Sequence, residues 1–354
     1  GSNCSSAMSV VAVTQPAALT FTTSTVNVSC NGLTDGSITV TAAGGTVAYQ
    51  YSKDNGATFQ AGNVFSSLAA GSYTIVVKDA HACSTSSLVT LTQPTAVTAS
   101  VATANVSCNG GSNGTITVTA GGGSGAGYQY SSDNGGSFQA SNTFSGLTAG
   151  SYTVIVKDGA NCTSASVPVT ITQPTAISFS TTNVNPLCNG GATGSITVTA
   201  SGGTGALSYS DNNGVSFQAS NAFSGLTGGT YQIVVRDGNN CTTAATPVVL
   251  TDPAVVSFST AKTDVLCHGA STGSITVTAA GGTGAYQYSG DNGSTFQVSN
   301  VFSGLIAGTY QIVVKDANAC TTSASAVTIT EPATLTISTS TTAANCNGAS
   351  NGSI

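Results

Sequence analysis

Ten cysteines are the residues most able to do chemistry in this chain, and nine of them recur at a near-fixed spacing. Cys30, Cys108, Cys188, Cys267 and Cys346 each open a Cys-Asn/His-Gly triplet. Cys83, Cys162, Cys241 and Cys320 each close a 16-residue block, LAAGSYTIVVKDAHAC at Leu68–Cys83. That block returns at Leu147–Cys162, Leu226–Cys241 and Leu305–Cys320, 79 residues apart each time. Cys4 is the tenth. Two cysteines per repeat predict disulfides and an oxidising compartment. Metal–thiolate chemistry needs clustered ligands such as a Cys-x-x-Cys pair, and the chain has none. No metal or cofactor is expected.

The other reactive residues do not form a recurring constellation. His81 precedes Cys83, whereas His268 follows Cys267, so the two histidines occupy different places in the repeat. A catalytic base would need a partner nucleophile at a matched position. Both histidines read as exposed turn residues, and no catalytic residue is expected. Asp54, Asp133, Asp211 and Asp291 stand beside Asn-Gly or Asn-Asn-Gly. One carboxylate per loop is a poor calcium site, so these read as turn formers. Asp79, Asp158, Asp237 and Asp316 follow Lys or Arg and read as shaping the next turn. A Lys–Asn cross-link at Lys78, Lys157 or Lys315 is disfavoured by Arg236 at the equivalent place. Gly121–Gly125 lacks the lysine and helix of a phosphate loop. Asn27-Val-Ser29 and Asn105-Val-Ser107 are glycosylation triplets of a kind that a Ser/Thr-rich chain contains by chance. Tyr49 with Tyr51, or Phe59 with Phe65, could form a sugar platform or fill a core.

The elements that position these residues are short strands. Each unit opens after a proline (Pro16, Pro94, Pro174, Pro253, Pro332), a residue that cannot donate to a ladder. A strand at Leu19–Ser29 leads to the Cys-Asn-Gly turn. GSITVTA follows, in which Ile38, Val40 and Ala42 alternate with Thr39 and Thr41, the period-two pattern of a half-buried strand. Tyr49–Ser52, the Asp54-Asn55-Gly56 hairpin, Thr58–Gln60, Val64–Leu68, the Tyr73/Ile75/Val77 strand and Leu88–Gln93 complete seven short strands. No 3.6-residue period appears. The expected fold is all-β: tandem immunoglobulin-like β-sandwich repeats of about 79 residues. Tyr73, Tyr152, Tyr231 and Tyr310 sit two residues after a glycine, as a structural tyrosine corner would. The expected segments are 1–16, the C-terminal part of a truncated repeat; repeats 17–94, 95–174, 175–253 and 254–332; and 333–354, the N-terminal part of another. Gly1–Pro16 aligns with Gly238–Pro253, so the chain reads as a window on a longer array.

Junctions of about three residues limit bending and predict a stiff rod. Units of about 30–40 Å follow from strands of about nine residues. This topology constrains the cysteines. The first cysteine of a repeat lies at its far end and the second at its near end, separated by about 25–30 Å. A disulfide needs Cα atoms about 4.4–6.8 Å apart. Head-to-tail packing instead favours Cys30 with Cys162, Cys108 with Cys241, and Cys188 with Cys320. Cys4, Cys83, Cys267 and Cys346 would pair toward flanking repeats. The intra-repeat pair Cys30–Cys83 and free thiols remain alternatives.

Composition points the same way. Only 5% of residues are charged, against about 25% in an average protein. The net charge of −6 is spread without a basic run, which argues against nucleic acid. No apolar run of 18 residues occurs, so no membrane insertion is expected from this segment. Few basic residues and a surface of hydroxyls and amides suit an exposed extracellular protein.

The motifs CNGxxxGSITVTAxGGTxxYxYS, FSGLxAGTYxIVVKDxxxCT and VTITQP resemble the SprB-type repeat of giant surface proteins of Bacteroidota, over essentially the whole chain. Many members carry Trp after the tyrosines; here Ser52, Ser131, Ser210 and Ser289 stand instead. The resemblance implies a long cell-surface adhesin, exported by the type IX system, with roles in gliding motility or cell adhesion, and no active site. The expected function is a stalk or filament segment stiffened by short junctions and disulfides. The alternative is an array of weak glycan-binding modules acting by avidity. The expected partners are neighbouring repeats, other copies in a fibre, and surface glycans.

Overall fold

The computed structural model of the chain describes residues 6–354. Every element in it is a β-strand, 24 in all among the described residues. The first repeat carries β1 (Thr20–Val26), β2 (Gly36–Ala43), β3 (Gln50–Ser52), β4 (Val64–Leu68), β5 (Gly71–Lys78) and β6 (Ser84–Leu91). The same six-strand order recurs from β7 (Thr95–Ala104) to β12 (Val167–Ile171), from β13 (Ser178–Val184) to β18 (Thr246–Leu250), and from β19 (Ser257–Thr263) to β24 (Ser325–Ile329). By contact density the chain divides into two units, one ending at Pro174 and the other starting at Thr175, each holding two six-strand repeats.

Within the first repeat the strands form two antiparallel three-stranded sheets, β1-β2-β4 and β3-β5-β6. Alternation decides which side chains meet between them. Ile38 and Val40 of β2 and Ile75 and Val77 of β5 are fully buried. They pack with Tyr51, Phe65, Leu68, Val89 and Leu91 into one core. Thr39 and Thr41, out of phase, face outward. Gly36 opens β2 because that site has no room for a side chain. A Cβ there would lie 2.9 Å from both the Leu68 carbonyl oxygen and Leu91 Cδ1. The Gly-Gly turn after β2 has a different constraint. Gly44 has φ +74°, and a Cβ on it would lie 2.1 Å from the Ala18 carbonyl oxygen. Gly45 N donates to Ala17 O at 2.7 Å, so this turn clasps the segment that follows the opening proline.

The structure has six strands per repeat where the sequence pattern predicts seven. Thr58–Gln60 supplies only an isolated bridge, in which Tyr51 N donates to Gln60 O and Gln60 N to Tyr51 O. The Gln60 side chain donates instead to Gly62 O and Val64 O, folding the segment into a loop rather than extending the ladder.

Candidate functional site: the cysteine-bearing ends of the repeats

Two turns build the cysteine sites. The first follows β1 and holds Cys30. Four contacts tie it to the connection between β6 and β7. Asn27 Oδ1 accepts from Thr92 N, and Val28 N donates to Thr92 O. Gly32 N donates to Gln93 Oε1 at 2.8 Å, and Asn31 Nδ2 donates to Pro94 O at 3.1 Å. Every residue of the Thr92–Pro94 connection is therefore hydrogen-bonded to the Asn27–Gly32 turn. Asn105, Asn109 and Gly110 make the same contacts to Thr172, Pro174 and Gln173. In the third repeat Asn185, Asn189 and Gly190 bond Thr251, Pro253 and Asp252. The fourth repeat substitutes both sides together. His268 Nδ1 lies 3.0 Å from Glu331 Oε1, and Gly269 N donates to Glu331 Oε2. His268 is thus a latch residue.

The second turn follows β5 and ends at Cys83. Asp79 organises it. Its amide donates to Cys83 O, its Oδ1 accepts from His81 N and Cys83 N, and its Oδ2 accepts from Thr46 N. The carboxylate is buried. Backbone N–H groups, Thr46 first, hold it below the usual carboxylate range against the opposing effect of burial. Asp158, Asp237 and Asp316 repeat the arrangement on Cys162, Cys241 and Cys320. At Asp158 burial pushes the carboxyl up, but the N–H donors of Ser124, Cys162 and Ala160 outweigh it. The residue before each cysteine takes a left-handed backbone, as at Ala82 (φ 65°) and Asn161 (φ 66°).

These turns meet within each unit. Cys30 is bonded to Cys162 across 5.5 Å between Cα atoms, and Cys188 to Cys320 across 5.6 Å. Each bond joins the first cysteine of one repeat to the second cysteine of the next. Cys30 also packs against the core of the second repeat. Asn318 Nδ2 donates to Leu187 O at 3.2 Å beside the Cys188–Cys320 bond. Cys83, Cys267 and Cys346 are exposed free thiols, whereas Cys108 and Cys241 are not free. Cys4 lies outside the described residues.

The remaining sequence candidates resolve into structural roles. The Tyr73 hydroxyl donates to Ala69 O at 2.9 Å, and Tyr152, Tyr231 and Tyr310 donate to the carbonyls of Thr148, Thr227 and Ile306. Each hydroxyl reaches four residues back across the turn that opens its strand. The aromatic platform does not form. Tyr51 and Phe65 are core residues, Tyr49 packs on that core with its hydroxyl donating to Gly44 O, and Phe59 lies under Lys78, whose Nζ is 4.2 Å from the ring centroid. Lys157 over Phe138, Arg236 over Phe217 and Lys315 over Phe296 repeat this stack. Either a guanidinium or an ammonium can make a cation–π contact, which accounts for Arg236 among lysines.

The Asp-Asn-Gly loop needs one correction. Ser52 is fully buried. Its Oγ donates to Asp54 Oδ1 and accepts from Gly56 N, and Asp54 Oδ1 accepts from Thr58 N. In the third repeat the equivalent residue is Asn212 rather than Asp211: Ser210 Oγ donates to Asn212 Oδ1, and Ser216 N donates to the same oxygen. The position requires a short acceptor, charged or not. Ser52, Ser131, Ser210 and Ser289 are therefore the centres of these loops. The Ser52 hydroxyl, then Thr58, lowers the Asp54 pKa to about 2; Ser289 and Thr295 lower Asp291 to about 2, and Asp133 is lowered likewise. Such carboxylates add stability above their unfolded pKa of about 3.9, and lose it as pH falls through the folded value. Thermal melts of the chain are thus expected to fall between pH 4 and pH 2. A D54N/D133N/D291N variant, imitating Asn212, should fall less steeply; an equal slope would refute this role.

Comparison with known proteins agrees with the repeat unit. The SprB repeat family matches residues 22–58, 100–137, 180–216 and 259–295. No curated protein sequence matches the chain. Among solved structures, the eight N-terminal Ig domains of DSCAM are 9% identical with a TM-score of 0.21, over 84% of this chain and 57% of that one. The chain thus spans little more than half of that fragment. Domains 4–9 of the surface-layer protein SbsC are 14% identical with a TM-score of 0.22, over 89% and 82%. Protocadherin gamma B2 cadherin domains 3–6 are 15% identical with a TM-score of 0.24, over 86% and 96%. Identity and TM-score are low in each case, so these structures carry no argument; the family match does, and the chain carries four SprB repeats, one in each 79-residue period.

Proposed function

We propose that the chain is a stalk or filament segment of a long extracellular adhesin, stiffened where one repeat joins the next. The observation that carries this reading is the disulfide between the first cysteine of one repeat and the second cysteine of its neighbour. A flexible string of domains has no use for such a bond, because it removes the bending that a three-residue connection would allow. The hydrogen-bonded connection at Thr92–Pro94 supports the same reading. In it, repeats 17–94, 95–174, 175–253 and 254–332 are the units, Cys108 pairs with Cys241, and Cys4, Cys83, Cys267 and Cys346 pair toward flanking repeats. Tyr73, Tyr152, Tyr231 and Tyr310 act as tyrosine corners. The segment is non-enzymatic, with adhesion residing outside it. Cell-surface attachment, gliding motility and type IX export enter only through the family resemblance.

The glycan-binding alternative has no comparable support, since its candidate aromatics lie in cores or under basic side chains. Negative-stain imaging of the full chain tests the stalk reading. Reduction is expected to broaden the distribution of end-to-end distances while the far-UV circular dichroism stays unchanged. An unchanged distribution would overturn it.

A further inference from the structure

The positions of the disulfides relative to the basic residues carry a consequence for proteolysis. The chain has six Lys and Arg residues. Lys53, Lys78 and Lys157 lie inside the loop closed by Cys30–Cys162, and Arg236, Lys262 and Lys315 lie inside the loop closed by Cys188–Cys320. Residues 163–187, between the loops, contain neither Lys nor Arg. We infer that the disulfides make the covalent chain indifferent to a single cut by any Lys- or Arg-specific endoprotease: hydrolysis of one peptide bond opens a loop and severs nothing. The inference rests on the two bonds and holds whether or not the segment is a stalk.

The fold supports the same tolerance at the level of a single repeat. Lys53 is exposed in the loop after β3. Lys78, Lys157, Arg236 and Lys315 are half-buried over phenylalanine rings, and Lys262 sits within β19 and donates to Thr328 O. A cut after Lys53 leaves β1, β2 and β3 on one fragment and β4, β5 and β6 on the other. Each sheet then holds strands from both fragments, since the sheets are β1-β2-β4 and β3-β5-β6. The nicked repeat stays assembled by its ladders and core. If tension pulls it apart, the path crosses from Cys30 to Cys162 and bypasses residues 31–161.

Limited trypsin digestion of the full oxidised chain tests this, with Cys83, Cys267 and Cys346 first alkylated to block exchange. After denaturation, singly nicked chain is expected to run at full length without reductant and as two fragments with it. Two fragments without reductant would overturn the inference. In C30S, a nick at Lys53 or Lys78 should separate the fragments without reductant, while a nick at Lys262 or Lys315 should not. A C30S chain nicked at Lys53 that still runs at full length would also overturn it. If C30S fails to fold, the wild-type comparison with and without reductant decides alone.

Discussion

Replacing Cys30 and Cys162 together by serine is expected to cost the first unit about 5 kcal/mol. The bond closes a loop with a sequence separation of 132 residues, and the chain-entropy relation gives about 5 kcal/mol for a loop of that size. For a unit of this length, 1 kcal/mol shifts the midpoint by about 2–4 °C, so calorimetry should show a fall of about 10–20 °C. C188S/C320S should do the same to the second unit, whose loop has the same separation of 132. The effect should be confined to one transition at a time. A midpoint that stays within about 2 °C of the parent in both variants would show that the bonds do not constrain the unfolded chain.

The second large effect is expected at Asp316. The residue is 3% exposed, and its carboxylate accepts hydrogen bonds from three backbone amides, those of Thr283, Asn318 and Cys320, each at 2.9 Å. Hydrogen bonds to a charged group contribute about 1.5–3 kcal/mol each, and a buried N–H left without a partner costs about 1–3 kcal/mol. Asp316→Ala strips all three amides and is expected to cost about 3–5 kcal/mol in total, because some are rehydrated on relaxation. Asp316→Asn keeps one acceptor oxygen but aims an amide donor at another N–H, so it should fall between Asp and Ala. The turn also holds the backbone of Cys320 in place for its bond to Cys188. Thiol titration of D316A should therefore reveal two additional reactive thiols per chain in the oxidised preparation. A variant that melts within 1 °C of the parent would refute the role.

Much of this architecture is legible in the sequence, because repetition separates signal from accident. The alternation in Gly36–Ala43 marks a strand with Ile38 and Val40 inward, and four copies of the same pattern leave little room for a helix. What stays hidden is contact between residues without a shared period. Phe59 and Lys78 lie on different segments, and nothing in either one announces the stack; only the constant 19-residue offset, repeated at Phe138/Lys157, Phe217/Arg236 and Phe296/Lys315, could have marked it. Ser52 looks like a surface residue by type, yet it is buried because the Asp-Asn-Gly loop folds back onto its hydroxyl. The loop also absorbs Thr58–Gln60, which reads as a strand by composition but satisfies its amides locally. Aligning Asp211 with Asp54 follows the residue type; the three-dimensional register follows the glycine instead, and places Asn212 there.

The latch at the end of each repeat was similarly obscure. Asn31 with Pro94 and Gly32 with Gln93 are more than 60 residues apart. The paired exchange of Asn for His268 and of Gln for Glu331 is the one clue that the two ends touch. Disulfide geometry was the more accessible part, since strand length alone sets how far apart the two cysteines of one repeat must lie.

The connectivity of the cysteines is the claim on which the rest depends, and peptide mapping of the oxidised chain without reductant tests it directly. The expected linked peptides contain Cys30 with Cys162 and Cys188 with Cys320. A peptide linking Cys30 to Cys83 would contradict the account.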